Sequence, residues 1–313
     1  MEKIAILYNP SSRLGRSGKT KERIERILNH NNINYDLFVS ESEAHLKQLT
    51  LEAASKYQMI VGVGGDTTFN IMVRKLLREN YRLPAIGMIA TGSANDIMRS
   101  LGMLRIKEAC AAIKRGSTTT MDVGCIKIDR KSKPYYFLGS LSVGLSTAVN
   151  RYVAQFQQNH RIITRVQPFF QFFPGVFAIH DFFSRIKSPL QIKISYSNNG
   201  KSIVKDLDFS LLVILNTPYY GSGLKLGRDN RSSDGILDCC VIGTRNFWET
   251  AVLVLQIQRG THTQSQYVEY VYSPGFKAYS QHPLDLLADG EIIEDVREFE
   301  VSIIKDKIKV LCF

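Results

Sequence analysis

The sequence is poor in the residues that build disulfide frameworks and metal centres, with five cysteines and six histidines in 313 residues. Cys110, Cys125, Cys239, Cys240 and Cys312 are odd in number, sit in apolar surroundings and show no metal-ligand spacing. They read as reduced core thiols of a cytosolic protein, which argues against a secreted disulfide scaffold. Long hydrophobic runs are missing. A stretch such as 209–215 is far too short to span a bilayer, so no transmembrane segment is expected. Apolar strand residues begin at Ile4, so no signal peptide is expected either. There is no low-complexity tract and no internal repeat. The net charge of +11 comes without zinc-finger spacing or an RNP-type aromatic signature, and it is spread along the chain. Nucleic acid is therefore not expected as a partner. Anionic membranes and phosphorylated substrates remain as targets of a basic surface.

What is present begins with Met59-Ile60-Val61-Gly62-Val63-Gly64-Gly65-Asp66-Thr67-Thr68-Phe69-Asn70. An apolar run ends in two glycines, an aspartate and two hydroxyl residues, and a helix is predicted from residue 69. Strand, glycine turn, polar tip and helix start is how an α/β fold offers backbone N–H groups to phosphate. Asp66 cannot hold a bare phosphate, because like charges repel. Its presence points to a metal ion or a proton to manage, as in phosphoryl transfer. Standing alone, Gly-Gly-Asp is also a common tight turn.

The hydrophobic periodicity predicts strands over 4–8, 35–39, 59–63 and 85–89, and helices over 19–28, 46–57, 69–79, 97–101 and 107–114. This alternation argues for a doubly wound parallel sheet over residues 1–120. From residue 121 the rhythm changes to short β-rich runs at 123–129, 135–141, 190–197, 203–215, 237–242, 268–272, 276–279, 284–288 and 297–305. Turns such as Asn198-Asn199-Gly200 separate them, and residues 121–313 read as an antiparallel β-sandwich. A Phe- and Arg-rich, partly helical insertion interrupts it at about 150–187. With 44% hydrophobic residues the chain has material for both cores.

Seven motifs then follow in order: Asn9-Pro10; Gly64-Gly65-Asp66-Thr67-Thr68; Thr91-Gly92-Ser93-Ala94-Asn95-Asp96; Met121-Asp122-Val123-Gly124; Asn216-Thr217-Pro218-Tyr219-Tyr220-Gly221-Ser222-Gly223; Ser233-Asp234-Gly235-Ile236-Leu237-Asp238; and Asp289-Gly290-Glu291. Together they resemble the diacylglycerol kinase catalytic-domain family, which includes bacterial soluble lipid kinases and the sphingosine and ceramide kinases. The resemblance spans residues 3–305. It implies an ATP-binding α/β domain, a lipid-binding β-sandwich domain, and a cleft between them where a lipid hydroxyl is phosphorylated with Mg2+ and ATP.

Four positions depart from the family pattern. Thr67 stands where the loop usually has glycine, and none of Phe69, Asn70 or Ile71 supplies the usual glutamate. Ala90 and Ser93 replace the proline and threonine of the second loop, and Gly139 replaces an asparagine. Thr67 matters most. A β-branched residue is strained there if the position needs positive φ, and otherwise its Cβ crowds the phosphates.

The resemblance implies roles for the retained residues. Asn9, Gly64, Gly65, Asp66, Thr67, Thr68, Thr91, Gly92, Ser93 and Asn95 fall on the ATP side. Thr68 and Ser93 would give hydroxyls to phosphate, Gly92 close approach, and Asn95 a loop anchor or nucleotide contact. Asp66 would orient the metal–nucleotide complex. A lipid hydroxyl must lose its proton, and a carboxylate suits that task. Glu291 is the favoured base, with Asp289 as metal-linked or alternative base. Asp234 and Asp238 form a second acidic loop that holds a structural magnesium in similar chains, or is neutralised here by Arg228 or Arg231. Asp-Gly turns and Asx caps explain some of these residues equally well.

The segment 169–177, with Phe182 and Phe183, is rich in phenylalanine and bordered by Arg151, Arg161, Arg165, Arg185 and Lys187. Aromatics with basic flanks suit either an anionic membrane interface or a helical lid over the protein's own core. The expectation is a cytoplasmic, peripherally membrane-associated lipid kinase. An NAD kinase-like enzyme and a non-catalytic lipid-binding regulator are the alternatives. The oligomeric state is not written in the sequence, which allows a homodimer.

Overall fold

The computed structural model describes residues 2–10, 17–92, 94–129, 131–159, 173–185, 189–198, 200–228 and 232–312. The first third alternates strand and helix: β1 (Ile4–Tyr8), α1 (Ser17–His30), β2 (Tyr35–Val39), α2 (Glu43–Lys56), β3 (Met59–Gly64), α3 (Asp66–Arg78), β4 (Ala85–Ala90), α4 (Asp96–Ser100) and α5 (Ile106–Arg115). The strands pair in parallel in the order β4-β3-β1-β2. The inner strands β1, β3 and β4 read as unbroken apolar runs because helices cover both faces, whereas the edge strand β2 carries Asp36 and is only partly buried. In α3, Phe69, Met72, Val73, Leu76 and Leu77 repeat at helical spacing and all lie in the core. Burial of each such side chain contributes about 1.5–3 kcal/mol.

The rest is antiparallel: β5 (Thr118–Ile128), β6 (Tyr135–Phe137), β7 (Ser140–Gly144), β8 (Leu190–Asn198), β9 (Lys201–Phe209), β10 (Leu211–Leu215), β11 (Tyr219–Tyr220), β12 (Leu224–Lys225), β13 (Leu237–Ile242), β14 (Val268–Ser273), β15 (Gly275–Ala288) and β16 (Glu291–Leu311). Helices α6 (Leu145–Asn159) and α7 (Phe173–Arg185) follow β7, and α8 (Phe247–Arg259) follows β13. The sandwich order is β14-β13-β10-β7-β15-β16, with β8–β9 paired to β15 and β5–β6 to β16. A second core fills the space between these strands, and a third lies beneath α8. Strand β16 continues past a register shift between Ile304 and Ile308. There Ile308, Val310 and Leu311 join the first core, and Val310 pairs with Ile86 of β4. The expected fold, a parallel α/β layer followed by an antiparallel sandwich, is the one observed.

Several local expectations needed correction. Helix α3 starts at Asp66 and not at residue 69, so Thr67 lies in its first turn and is not among the positive-φ residues. The strain foreseen for Thr67 is therefore absent. The run 203–215 is two strands that part at Ser210. The run 135–141 also breaks, at Leu138 and Gly139, whose N–H groups bond the Asp289 carboxylate from the turn after β15. The runs 276–279 and 284–288 are one irregular strand. Helix α8 was not foreseen. Its start is capped by Asn246, which accepts the Glu249 N–H at 3.0 Å, and Gly260 closes it at φ 72°. Its apolar residues occur on both faces, so it lacks the polar contrast that marks a surface helix.

Candidate active site

The site starts at the end of β3. Gly65 precedes α3 in extended backbone, and the Gly64 carbonyl accepts the N–H groups of Thr91 and Gly92 at 2.7 and 3.2 Å. The two loops touch: a Cβ on Gly92 would lie 2.6 Å from the Gly65 Cα. Glycine at both positions is a packing requirement. Asn95 takes the left-handed conformation at φ 54° and donates to the Gly92 carbonyl at 2.8 Å, which ends the second loop and starts α4.

Asp66 spans the loops. Its Oδ2 accepts the Asp96 N–H at 2.8 Å and its Oδ1 the Ile97 N–H at 3.2 Å, so it caps α4 from α3. Burial pushes its carboxyl up to about 6; those two N–H bonds pull the other way, and the Asp96 and Asp289 charges add to the rise. Asp96 is raised as well, first by burial, while its Oδ2 accepts the N–H of Ser222 at 3.0 Å. Ser222 holds φ 76° in the β11–β12 hairpin. Thr68 is buried and accepts the Asn9 side-chain amide at 3.0 Å. Thr67 is exposed and Thr91 buried beside the loop. Ser93 falls outside the described residues.

From the sandwich comes Asp289, at φ 45° in the β15–β16 turn. Its carboxylate accepts N–H groups from Leu138, Gly139 and Ser140 at 2.6, 2.9 and 2.8 Å. A side chain on Gly139 would crowd it, with a Cβ only 3.0 Å from Asp289 Oδ1. Arg74 of α3, itself buried, crosses to this turn: Nη2 donates to the Ala288 carbonyl at 2.8 Å and lies 3.4 Å from Asp289, while Nη1 donates to Glu291 at 2.7 Å. Glu291 is half-exposed and also faces Arg78 at 3.8 Å.

A cavity of about 300 Å³ opens where these parts meet, lined by Asp66, Asn70, Asp96, Ser142, Tyr220 and Asp289 among others. Glu291 is not part of its wall. Asn70 Oδ1 and Asp96 Oδ1 are buried there without a hydrogen-bond partner. Unpaired hard oxygens beside carboxylates fit a magnesium ion, which needs only one or two protein carboxylates when phosphates and water complete its shell. The second acidic loop does not fit a metal. Asp238 is buried and takes Arg228 Nε and Nη2 on Oδ1 at 3.0 and 2.6 Å and the Arg228 N–H on Oδ2 at 2.9 Å. Asp234 spends its Oδ1 on the Ile236 N–H, and Asp122 takes the N–H groups of Gly235 and Asp306. Among the described residues no group of three or more His, Cys, Asp or Glu is placed to hold a metal. The guanidinium supplies the charge a cation would bring. Arg231 lies outside the described residues.

Residue-by-residue reading of the sequence missed Arg74 and Ser222, whose partners lie far away in the chain. It also missed that Asn216 donates its buried amide to the carbonyls of Asp122 and Leu138 at 2.9 and 2.8 Å.

Two family models match in series: the diacylglycerol kinase catalytic domain over residues 3–126, and the YegS C-terminal NAD kinase beta sandwich-like domain over residues 139–312. The chain is 24% identical to a diacylglycerol kinase of Bacillus subtilis over 93% of its length and 90% of that protein's. It is 26% identical to one of Staphylococcus epidermidis, covering 91% of this chain and 84% of that one. Sphingosine kinase 1 of Arabidopsis thaliana is 24% identical, covering 93% of this chain and 68% of the relative. The solved structure of a diacylglycerol kinase from Bacillus anthracis superposes with a TM-score of 0.68 at 17% identity, covering 100% of this chain and 97% of the other. With both models matched across almost its entire length, the chain belongs to the diacylglycerol kinase catalytic-domain family.

Proposed function

We propose that the protein transfers the terminal phosphate of ATP to the hydroxyl of a membrane lipid such as diacylglycerol. The observation that carries this reading is the meeting of Asp66, Asp96 and Asp289, from three separate elements, in one cavity beneath the glycine loop. In this reading residues 1–120 form the nucleotide side and residues 121–313 the lipid side. The N-terminus of α3 and the Gly64–Gly65 and Gly92 backbones face the phosphates. Asn70 and Asp96 would hold Mg2+, which when bound neutralises charge on the transferring phosphoryl group. The lipid oxygen bonds to the terminal phosphorus as the bond to the leaving ADP oxygen breaks, and the hydroxyl proton passes to a cavity carboxylate.

Asp66 is best suited to take that proton, because its carboxyl is poised near neutrality at about 6. Asp289, saturated by main-chain N–H groups, orients the turn. Glu291, favoured as base on sequence grounds, holds Arg74. Among the described residues no helix is long and apolar enough to cross a membrane, which suits an enzyme that meets its substrate from the aqueous side.

Incubating the pure protein with labelled ATP, Mg2+ and a lipid extract should yield a labelled phospholipid. Label appearing only in NADP when NAD is supplied would favour the NAD kinase-like reading, which the description of the C-terminal family model keeps open. No product from either acceptor would overturn the kinase assignment.

A further inference from the structure

Helix α8 turns an apolar stripe outward. Leu253 and Ile257 pack into the core under the helix, on residues of β10 and β13. Trp248, Val252 and Leu255 lie on the opposite side, 76%, 51% and 50% exposed. Their spacing of four and three residues puts them on one face. Trp248 is the sole tryptophan of the chain. The stripe continues across a neighbour. His180 of α7 contacts Phe247 edge-on with ring centres 6.4 Å apart, and Phe247 contacts Trp248 at 5.3 Å. One turn back on α7, Val176 and Phe177 are exposed as well. Among the described residues nothing covers this face. Exposed Arg245 and Arg259 bracket α8, while the nearby Glu249 is spent on the helix cap.

Helix α7 also borders a second cavity of about 460 Å³, where its Asp181 and Phe182 face Arg151 and Tyr152 of α6 and Leu284 of β15. This space lies next to the acidic cavity: Asn150 and Leu287 line one, Arg151 and Leu284 the other.

We infer that the α7–α8 face is a docking surface for an anionic lipid bilayer. Trp248 and Phe177 enter the headgroup zone, and Arg245 and Arg259 meet lipid phosphates. A second copy of this chain is the poorer occupant. Packing the stripe on itself in either direction sets arginine against arginine, in a chain whose net charge is already +11. A bilayer gives the same arginines counter-charges and the same rings an apolar layer. The inference rests on the lipid-kinase reading only for its purpose, since docking here brings the α6–α7 cavity to the source of substrate.

Because Trp248 is the only tryptophan, its fluorescence reports on this face alone. Vesicles of equal parts phosphatidylglycerol and phosphatidylcholine should shift its emission to shorter wavelength, and brominated acyl chains should quench it. Arg259→Gln should weaken binding about fivefold, and V252S/L255S about tenfold or more, with unchanged circular dichroism. The double variant should keep wild-type turnover on a water-soluble short-chain diacylglycerol and lose turnover on vesicles. Emission that ignores vesicles to which the protein still co-sediments would place the membrane contact elsewhere and overturn the inference. A dimer in sedimentation equilibrium that V252S/L255S dissociates would assign the face to self-association and overturn it as well. If wild-type protein shows the spectral shift but phosphorylates no lipid, the docking surface stands and the lipid-kinase reading falls.

Discussion

Two acidic clusters lie in this molecule, and Asp238 in one and Asp96 in the other are treated in opposite ways. In the sandwich, Asp238 is closed off by the Arg228 fork and Asp122 by two main-chain N–H groups. In the cleft, Asp66 and Asp96 also accept N–H groups, and neither has a cation in an ion pair with it among the described residues; the Arg99 charge acts on Asp96 without pairing with it, and Asp96 keeps one buried oxygen unpaired. Arg74 stands at 3.4 Å from Asp289 but donates its shorter bonds to Glu291 and the Ala288 carbonyl. A buried pair that is complete does structural work and has no capacity left. A buried acid left without its cation costs stability and keeps a ligand position open. Asp238 is of the first kind and Asp96 of the second, while Asp122, held by main-chain N–H groups alone, stands nearer to Asp66.

The largest effect should come from breaking the complete pair. Arg228→Met leaves Asp238 buried without its counter-charge and should cost about 3 kcal/mol, read as a lower urea midpoint. That is the low end for a buried pair, because the guanidinium is 40% exposed and water reaches it. Turnover per folded molecule should not change, and adding Asp238→Leu should recover much of the loss. Should Mg2+ alone restore the stability of Arg228→Met, the loop is a cation site in which arginine stands in for the metal.

The opposite signature is expected in the cleft. Asp66→Asn should lower turnover roughly 100-fold or more while the protein stays folded. Wild-type kcat/KM should fall as pH drops through about 6, where the Asp66 carboxyl fills with a proton. Stability carries the same mark. The folded value near 6 exceeds the ordinary value of 3.8, so the fold binds this proton more tightly than the unfolded chain does. Its stabilising contribution is present below 3.8 and is lost as pH rises through about 6. Asp66→Asn should flatten that part of the urea-midpoint profile; a profile and turnover like wild type would remove Asp66 from the chemistry.

Thr67→Gly should do least. With Thr67 in a regular helical turn, glycine removes no strain and adds backbone freedom to the unfolded chain, for a loss of up to about 1 kcal/mol in thermal unfolding. The KM for ATP should stay as it is. A markedly lower KM would mean that the Thr67 Cβ does press on the nucleotide.

How much of this was legible in the sequence follows from the range of each interaction. The strand–glycine turn–helix succession, the parallel layer and the sandwich are local patterns of period and turn chemistry, and the structure has all three. The strain expected at Thr67 is absent because the helix begins at Asp66, where the preceding Gly65 takes an extended conformation and Thr67 has no positive φ. Helix α8 had readable caps in Asn246, Glu249 and Gly260, but its outward apolar stripe hid the helical contrast. Arg74 was invisible for a different reason. Its partner Glu291 lies 217 residues away, and no spacing rule links a helix side chain to a turn at that distance. The placement of Glu291 outside the cavity wall depends on that link.

The last strand sets a timetable for the ribosome. Residues 308–311 complete the first core, and Leu311 sits on Gly87 so closely that a Cβ there would collide with it. The parallel layer made from the first residues therefore waits, half-closed, until the whole sandwich has been synthesised. At typical rates that delay is roughly ten to forty seconds, during which the face destined for β16 is open to chaperones and proteases. A nascent chain arrested before Ile308 should be cut readily around α5, and protection should appear once Leu311 has emerged.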